Sequence, residues 1–139
     1  MFVTKNKYPG AASVITNRIK NKPFRLGDLE VTPVKGKHAE LQVFGFKFGD
    51  LAYLTDMKTL KEKEIEKIKY VKILVVNALR IAPHRSHFNL EEALLFIEKV
   101  KPEKAYLTHI SHLLGFHSEV EKKLPKNVFL AYDGLELNL

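Results

Sequence analysis

The sequence predicts an α/β fold, a mixed sheet with its helices on one face. Three observations carry this. Short apolar segments joined by Gly and Asp fill the first third, the pattern of antiparallel strands. From Asp56 onward, strand-like and helix-like periods alternate, as in βαβ units feeding a parallel sheet. The stretch Lys72 to Asn77, KILVVN, is almost continuously apolar, as in a strand buried on both faces.

The elements follow in order. Leu29 to Val34 alternates apolar and polar residues as a strand does and leads into the loop Lys35-Gly36-Lys37-His38. Leu41 to Phe48 is a second strand, Gly49-Asp50 a turn and Leu51 to Leu54 a third strand. Thr59 with Glu62 three residues on reads as a capping box. It opens a helix to about Lys69 with Ile65 and Ile68 facing inward. Asn89 with Glu92 is a second cap signal, after which Leu90, Ala93, Leu94, Ile97 and Val100 mark one helical face. Lys101-Pro102 ends that helix. Ala105 to Thr108 is then a strand, Phe116 to Leu124 a helix and Val128 to Tyr132 a strand. Asp133-Gly134 turns the chain into a last alternating strand, Leu135 to Leu139.

Composition narrows the function classes. A chain of 139 residues allows one domain. With 45% hydrophobic and 28% charged residues it is not a disordered polymer. No apolar run approaches the ~18 residues of a membrane span, and the opening MFVTKNKYPG lacks a signal peptide's apolar stretch. A membrane partner is therefore not expected, and the expected setting is the cytoplasm. Cysteine is absent, so any metal must be held by His, Asp or Glu. The net charge of +7 suits anionic partners. The charges interleave along KTLKEKEIEKIK as on a solvated helix face, and no basic arm is present. Nucleic acid is accordingly not the expected partner.

The polar residues are unevenly placed. In open α/β sheets, functional groups gather where chains leave the carboxyl ends of strands. There the sequence puts His38, Asp56, Arg80, His84, His87, His109, His112 and Asp133. Imidazole and carboxylate suit zinc, manganese or iron without sulfur. Each residue also has a local reading. His38 and His84 read as loop residues, Asp56 as a turn aspartate, and His87 as a neighbour of the Asn89 cap. His112 and His117 read as decoration of the next turn and helix, and Asp133 as a hairpin aspartate. Convergence on one sheet edge is what favours chemistry. No Gly-x-Ser-x-Gly elbow, phosphate-cradling loop or dinucleotide fingerprint is present.

Leu54-Thr55-Asp56, the stretch from Pro83 to Ala93, Tyr106 to His112 and Tyr132-Asp133-Gly134 together resemble the metallo-β-lactamase superfamily. Within it they are most similar to the branch of the phosphoribosyl 1,2-cyclic phosphodiesterase of phosphonate breakdown. The resemblance runs from about Tyr8 to Leu139. It implies half of an αβ/βα sandwich with a two-metal site, zinc or manganese, at one sheet edge. By motif, His38 would bind one metal, Asp56 would bridge both and His109 would bind the second. His87 would contact a substrate phosphate or protonate the leaving oxygen. Arg80 is a further candidate for neutralising phosphate charge. The implied substrate is a small phosphorylated molecule.

The superfamily's leading His-x-His-x-Asp-His motif is absent from these 139 residues. The expectation is therefore a single domain, residues 1–139, equivalent to the C-terminal portion of such a fold. Two protein ligands per metal fall short of the three usual in catalytic zinc sites, so metal binding should be weak or absent and the isolated chain inactive or nearly so. The sheet face opposite the helices should lack cover at Val43, Phe44, Phe46, Phe48, Tyr53, Val75, Leu107, Leu130 and Tyr132. Exposed patches of that size promote association, so a homodimer burying the face is expected. A non-catalytic assembly module that keeps half of the hydrolase fold is the alternative reading.

Overall fold

The computed structural model describes residues 17–138. Eight strands form one sheet. Strands β1 (Phe24–Leu26), β2 (Leu29–His38), β3 (Leu41–Phe48) and β4 (Leu51–Leu54) are successive antiparallel neighbours. The short β5 (Thr59–Leu60) pairs with β2 outside this row. Beyond β4 the sheet turns parallel through β6 (Ile73–Asn77), β7 (Lys104–Thr108) and β8 (Val128–Leu130). Helix α1 (Glu62–Ile65) runs into a 3₁₀ turn over Glu66–Ile68, α2 (Leu90–Val100) joins β6 to β7, and α3 (His117–Glu121) precedes β8. The mixed sheet and the one-sided helices agree with the sequence.

The helix-covered face holds the core. Leu54, Leu74, Val76, Leu107 and Leu130 pack there with Ile65, Ile68, Ala93, Phe96, Ile97 and Val100. Helix α2 starts where Asn89 and Glu92 complete the predicted capping box, each bonding the other's backbone N–H. It ends at Lys101 in the left-handed region, ahead of Pro102, which cannot continue a helix.

Four expectations fail. Strand β2 continues to His38, because Lys35, Gly36, Lys37 and His38 pair with Phe44, Val43, Gln42 and Leu41. Thr59 caps no helix: it pairs with Lys37 in β5, and α1 starts after Lys61 without a side-chain cap. Backbone pairing across the sheet overrides the local signal. The helix predicted over Phe116 to Leu124 contracts to His117–Glu121. Leu135 to residue 138 form no strand, and Leu139 lies outside the described residues, as does the resemblance from Tyr8 to residue 16.

The uncovered face also needs correcting. Leu107, Leu130 and Val43 lie with the helices, and Tyr132 lies beyond β8. The opposite face instead carries a register row of Phe46, Tyr53, Val75, Tyr106 and Phe129 across β3, β4, β6, β7 and β8. Tyr106 stacks on Phe129 with centroids 5.4 Å apart. At the β2 side, residues 17–20 and 22–26 line a cavity of about 630 Å³ together with Val31, Phe46 and Phe48. No helix among the described residues covers the rest of the row.

Two close contacts tie neighbouring segments together. Gly45 lets β3 approach β4: a Cβ there would lie 2.2 Å from Leu54 Cδ2 and 2.8 Å from the Tyr53 carbonyl oxygen. Gly45→Ala should therefore destabilise the protein by about 1–3 kcal/mol through overpacking, read from urea denaturation. Glu64 is buried and accepts hydrogen bonds from Asn21 Nδ2 at 2.9 Å, Lys35 N at 3.0 Å and Lys67 Nζ at 2.5 Å. Burial by itself would raise its pKa, but these donors, with Lys67 foremost, hold the carboxyl below its ordinary value. Its contribution is thus complete above the unfolded-state pKa and is lost as pH falls through the lower folded value. Glu64→Gln should cost about 2 kcal/mol at neutral pH and flatten the loss of stability below about pH 4.5, measured as urea midpoints across pH.

Candidate metal centre

Parallel pairing of β4, β6 and β7 brings their carboxyl ends to one edge. Asp56 follows β4 and His109 follows β7, both in the left-handed region with φ of 56°. His38 ends β2, and His87 lies just ahead of the Asn89 cap of α2. Four chain segments thus deliver one side chain each.

They converge on Asp56. Its Oδ1 lies 3.1 Å from His87 Nε2 and 3.7 Å from His109 Nε2. The His38 ring meets His87 edge-on with centroids 4.6 Å apart, and the His109 ring stacks on His87 at 4.7 Å. Donor atoms of His38, Asp56 and His87 all lie within 4.8 Å of one another. His87 is buried, whereas about half of the Asp56 side chain is open to solvent. Desolvation pushes the His87 pKa down, nearby His109 and His38 push the same way, and the bond to Asp56 pulls back only in part. The balance favours the neutral imidazole over the charged ring.

The other nitrogen of His87 is also held. Nδ1 lies 2.9 Å from Ser86 Oγ and 3.2 Å from His84 Nδ1. A hydroxyl can donate or accept, so Ser86 suits either tautomer of His87. Ser86 was not singled out in the sequence, although it lies between the two histidines of that segment.

The remaining candidates divide. His84 joins the edge of the cluster through its contact with His87. Arg80 donates to the carbonyl oxygens of Ala82 at 3.2 Å and Pro83 at 2.7 Å, bracing its own loop. Among the described residues no hydrogen bond or ion pair joins Arg80 to Asp56. His112 opens a 3₁₀ turn over His112–Leu114, and His117 lies edge-on to Tyr132 at 6.4 Å, so neither belongs to the cluster's contacts. Asp133 lines a polar cavity of about 290 Å³ together with Thr108, His109 and Tyr132.

The donor set fits a divalent cation. It offers imidazole nitrogens and a carboxylate without sulfur, the chemistry of zinc and manganese sites. Bonds of 2.0–2.2 Å in a tetrahedral zinc site place neighbouring donors about 3.3–3.6 Å apart, near the 3.7 Å between Asp56 Oδ1 and His109 Nε2.

Residues 2–110 match the beta-lactamase superfamily domain. The chain belongs to the metallo-β-lactamase superfamily. It lies close to the PhnP branch: a crystal structure of a diphosphatase from the PhnP family is 36% identical, with a TM-score of 0.86 over 88% of this chain and 48% of that one. The metallo-β-lactamase fold protein YhfI from Bacillus subtilis shares the fold at 19% identity, with a TM-score of 0.67 over 83% of this chain and 52% of that one. A protein named octanoyltransferase from Porphyromonas gingivalis (strain ATCC BAA-308 / W83) is 37% identical over 134 residues, which are 95% of this chain and 27% of that protein. The chain therefore spans about half of the diphosphatase and about a quarter of the octanoyltransferase. The hydrolase resemblance and the predicted family stand. Among the described residues, no helix is long and apolar enough to cross a membrane.

Proposed function

We propose that this chain carries one half of a two-metal phosphodiester hydrolase site. The observation that carries this reading is the convergence of His38, His87 and His109 on Asp56 at the carboxyl edge of the parallel strands. His38 and Asp56 would hold one zinc or manganese ion, and Asp56 and His109 the other. Such ions supply Lewis acidity toward a phosphoryl oxygen and an activated water. Asp56 suits the shared position, since its carboxylate has two oxygens and already faces two imidazoles. The diphosphatase of the PhnP family is about twice the matched length, which supports a site whose remaining ligands come from another segment. The domain is on this reading the C-terminal portion of the full fold.

His87 is the proposed acid or phosphate contact. Its depressed pKa makes the protonated ring a stronger acid, and with Nδ1 against Ser86 Oγ it is Nε2 that faces Asp56 and the rest of the cluster. Arg80 uses two of its five N–H donors on the Ala82 and Pro83 carbonyls, which leaves donors over for a phosphate. The net charge of +7 favours an anionic substrate, and a small phosphorylated molecule fits a site at a sheet edge.

The test is metal affinity together with turnover of bis-p-nitrophenyl phosphate. The chain should bind zinc weakly, Asp56→Ala should weaken binding by at least about 100-fold, and turnover should be near background without further ligands. Zinc bound equally by Asp56→Ala would overturn the site. No metal and no turnover under any loading would favour the assembly module.

For assembly, we propose a homodimer over the face bearing Phe46, Tyr53, Tyr106 and Phe129, related by a two-fold axis. Burying these half-exposed rings recovers about 25 cal/mol per Å² of apolar surface. Analytical ultracentrifugation at micromolar concentration should show a dimer that Tyr53→Glu with Tyr106→Glu dissociates. A wild-type monomer under those conditions would sink the dimer.

A further inference from the structure

We infer that Asn77 is a positioning residue for the whole cluster, acting through the main chain of Met57. This rests on reading His38, Asp56, His87 and His109 as one site. Asn77 ends β6, a strand whose other four residues are aliphatic, and it is fully buried. Its Oδ1 accepts from Met57 N at 2.8 Å and its Nδ2 donates to Met57 O at 3.1 Å. A buried amide is costly unless it is satisfied in this way.

Met57 is the point where the site's segments meet. Its carbonyl also accepts from Phe88 N at 2.9 Å, next to His87. The following N–H, of Lys58, donates to Lys37 O at 2.8 Å, next to His38. Asn77 itself is paired with Thr108, and Ala78 N donates to Thr108 O at 2.9 Å, next to His109. The Met57 side chain is fully buried against Gly36, where a Cβ would lie 2.2 Å from its Sδ. One amide therefore fixes a residue that adjoins Asp56 and bonds Phe88 beside His87, while Lys58 links it to Lys37 beside His38 and Asn77 links it to Thr108 beside His109.

The backbone gives this clamp work to do. Asp56 holds φ of 56° without being glycine, a conformation costing roughly 1 kcal/mol or more that persists only when its surroundings impose it. The Asp56 side chain is half exposed and meets His87 through Oδ1, and the amide and carbonyl of the adjoining Met57 are both engaged by Asn77. Asn77 touches none of the four site residues through its side chain in the hydrogen bonds of the structure, so it is not a catalytic residue.

The experiment compares Asn77→Leu and Asn77→Asp with Val76→Ala, a buried change in the same strand that leaves the amide intact. Asn77→Leu removes both bonds at similar size; Asn77→Asp keeps the acceptor for Met57 N and loses the donor to Met57 O. Zinc affinity should fall about 10–100-fold in Asn77→Leu, the range for outer partners of metal ligands, and less in Asn77→Asp. Val76→Ala should lose folding stability and keep its zinc affinity. In the metal-free proteins, the ring nitrogen NMR shifts of His87 and His109 should move in Asn77→Leu and stay in Val76→Ala. Unmoved histidine shifts in folded Asn77→Leu, or equal zinc loss in Val76→Ala, would overturn the inference. Failure of the wild type to bind zinc would instead strike the hydrolase reading, and the metal-free shifts would still decide this one.

Discussion

Parallel register is the constraint on which the rest of this molecule depends. Leu54 lies opposite Val76, and Asn77 opposite Thr108, so β4, β6 and β7 end at nearly the same height. Whatever follows them emerges on one edge. Asp56 and His109 are 53 positions apart in the numbering, yet their functional atoms lie 3.7 Å from each other. The antiparallel arm then adds His38, because β2 is long enough to reach the same edge. The core under the helices supplies the energy that holds this register; the site itself, with Asp56 and His109 both half exposed and both at positive φ, contributes strain rather than stability.

Carboxylate and imidazole are concentrated at that edge. One carboxylate faces three imidazoles, and the most buried of these is pushed toward its neutral form. A salt bridge to protonated His87 would satisfy Asp56 but would place a charged ring in a desolvated position. On the proposed reading the conflict falls away, because His38, His109 and an ionised Asp56 are ligands for a divalent ion and His87 stays outside that set. Ser86 completes the logic by accepting whichever hydrogen pattern Nδ1 presents.

Much of this was legible in the sequence, and the failures have physical causes. Two capping-box patterns occur, Thr59 with Glu62 and Asn89 with Glu92. Only the second caps a helix, because Thr59 finds a better partner in Lys37 across the sheet. Asp56, His87 and His109 were identified from motifs, and the structure brings them together. His38 reads as a loop residue after Lys35-Gly36-Lys37, yet β2 runs on through it, and Gly36 leaves room there for Met57 from the neighbouring segment. Asn77 gave a signal too, a lone amide closing an aliphatic strand, but its partner is a backbone group 20 residues away, and no local pattern reveals such a bond.

The faces of the sheet were the least legible feature. Ala105-Tyr106-Leu107 and Val128-Phe129-Leu130 are apolar at every position, so period-two alternation assigns no side. Size decides instead. Ala105, Leu107, Val128 and Leu130 are small or aliphatic and turn toward the close-packed helices, while Tyr106 and Phe129 turn away. Broad rings suit a surface that meets another layer, because they bury large area with few rotatable bonds. Tyr53 and Tyr106 also carry hydroxyls that can find partners at the margin of such a contact. Phe46, Tyr53, Tyr106 and Phe129 thus give this face the composition of a surface suited to burial, in the same register that aligns the strand ends beside Asp56.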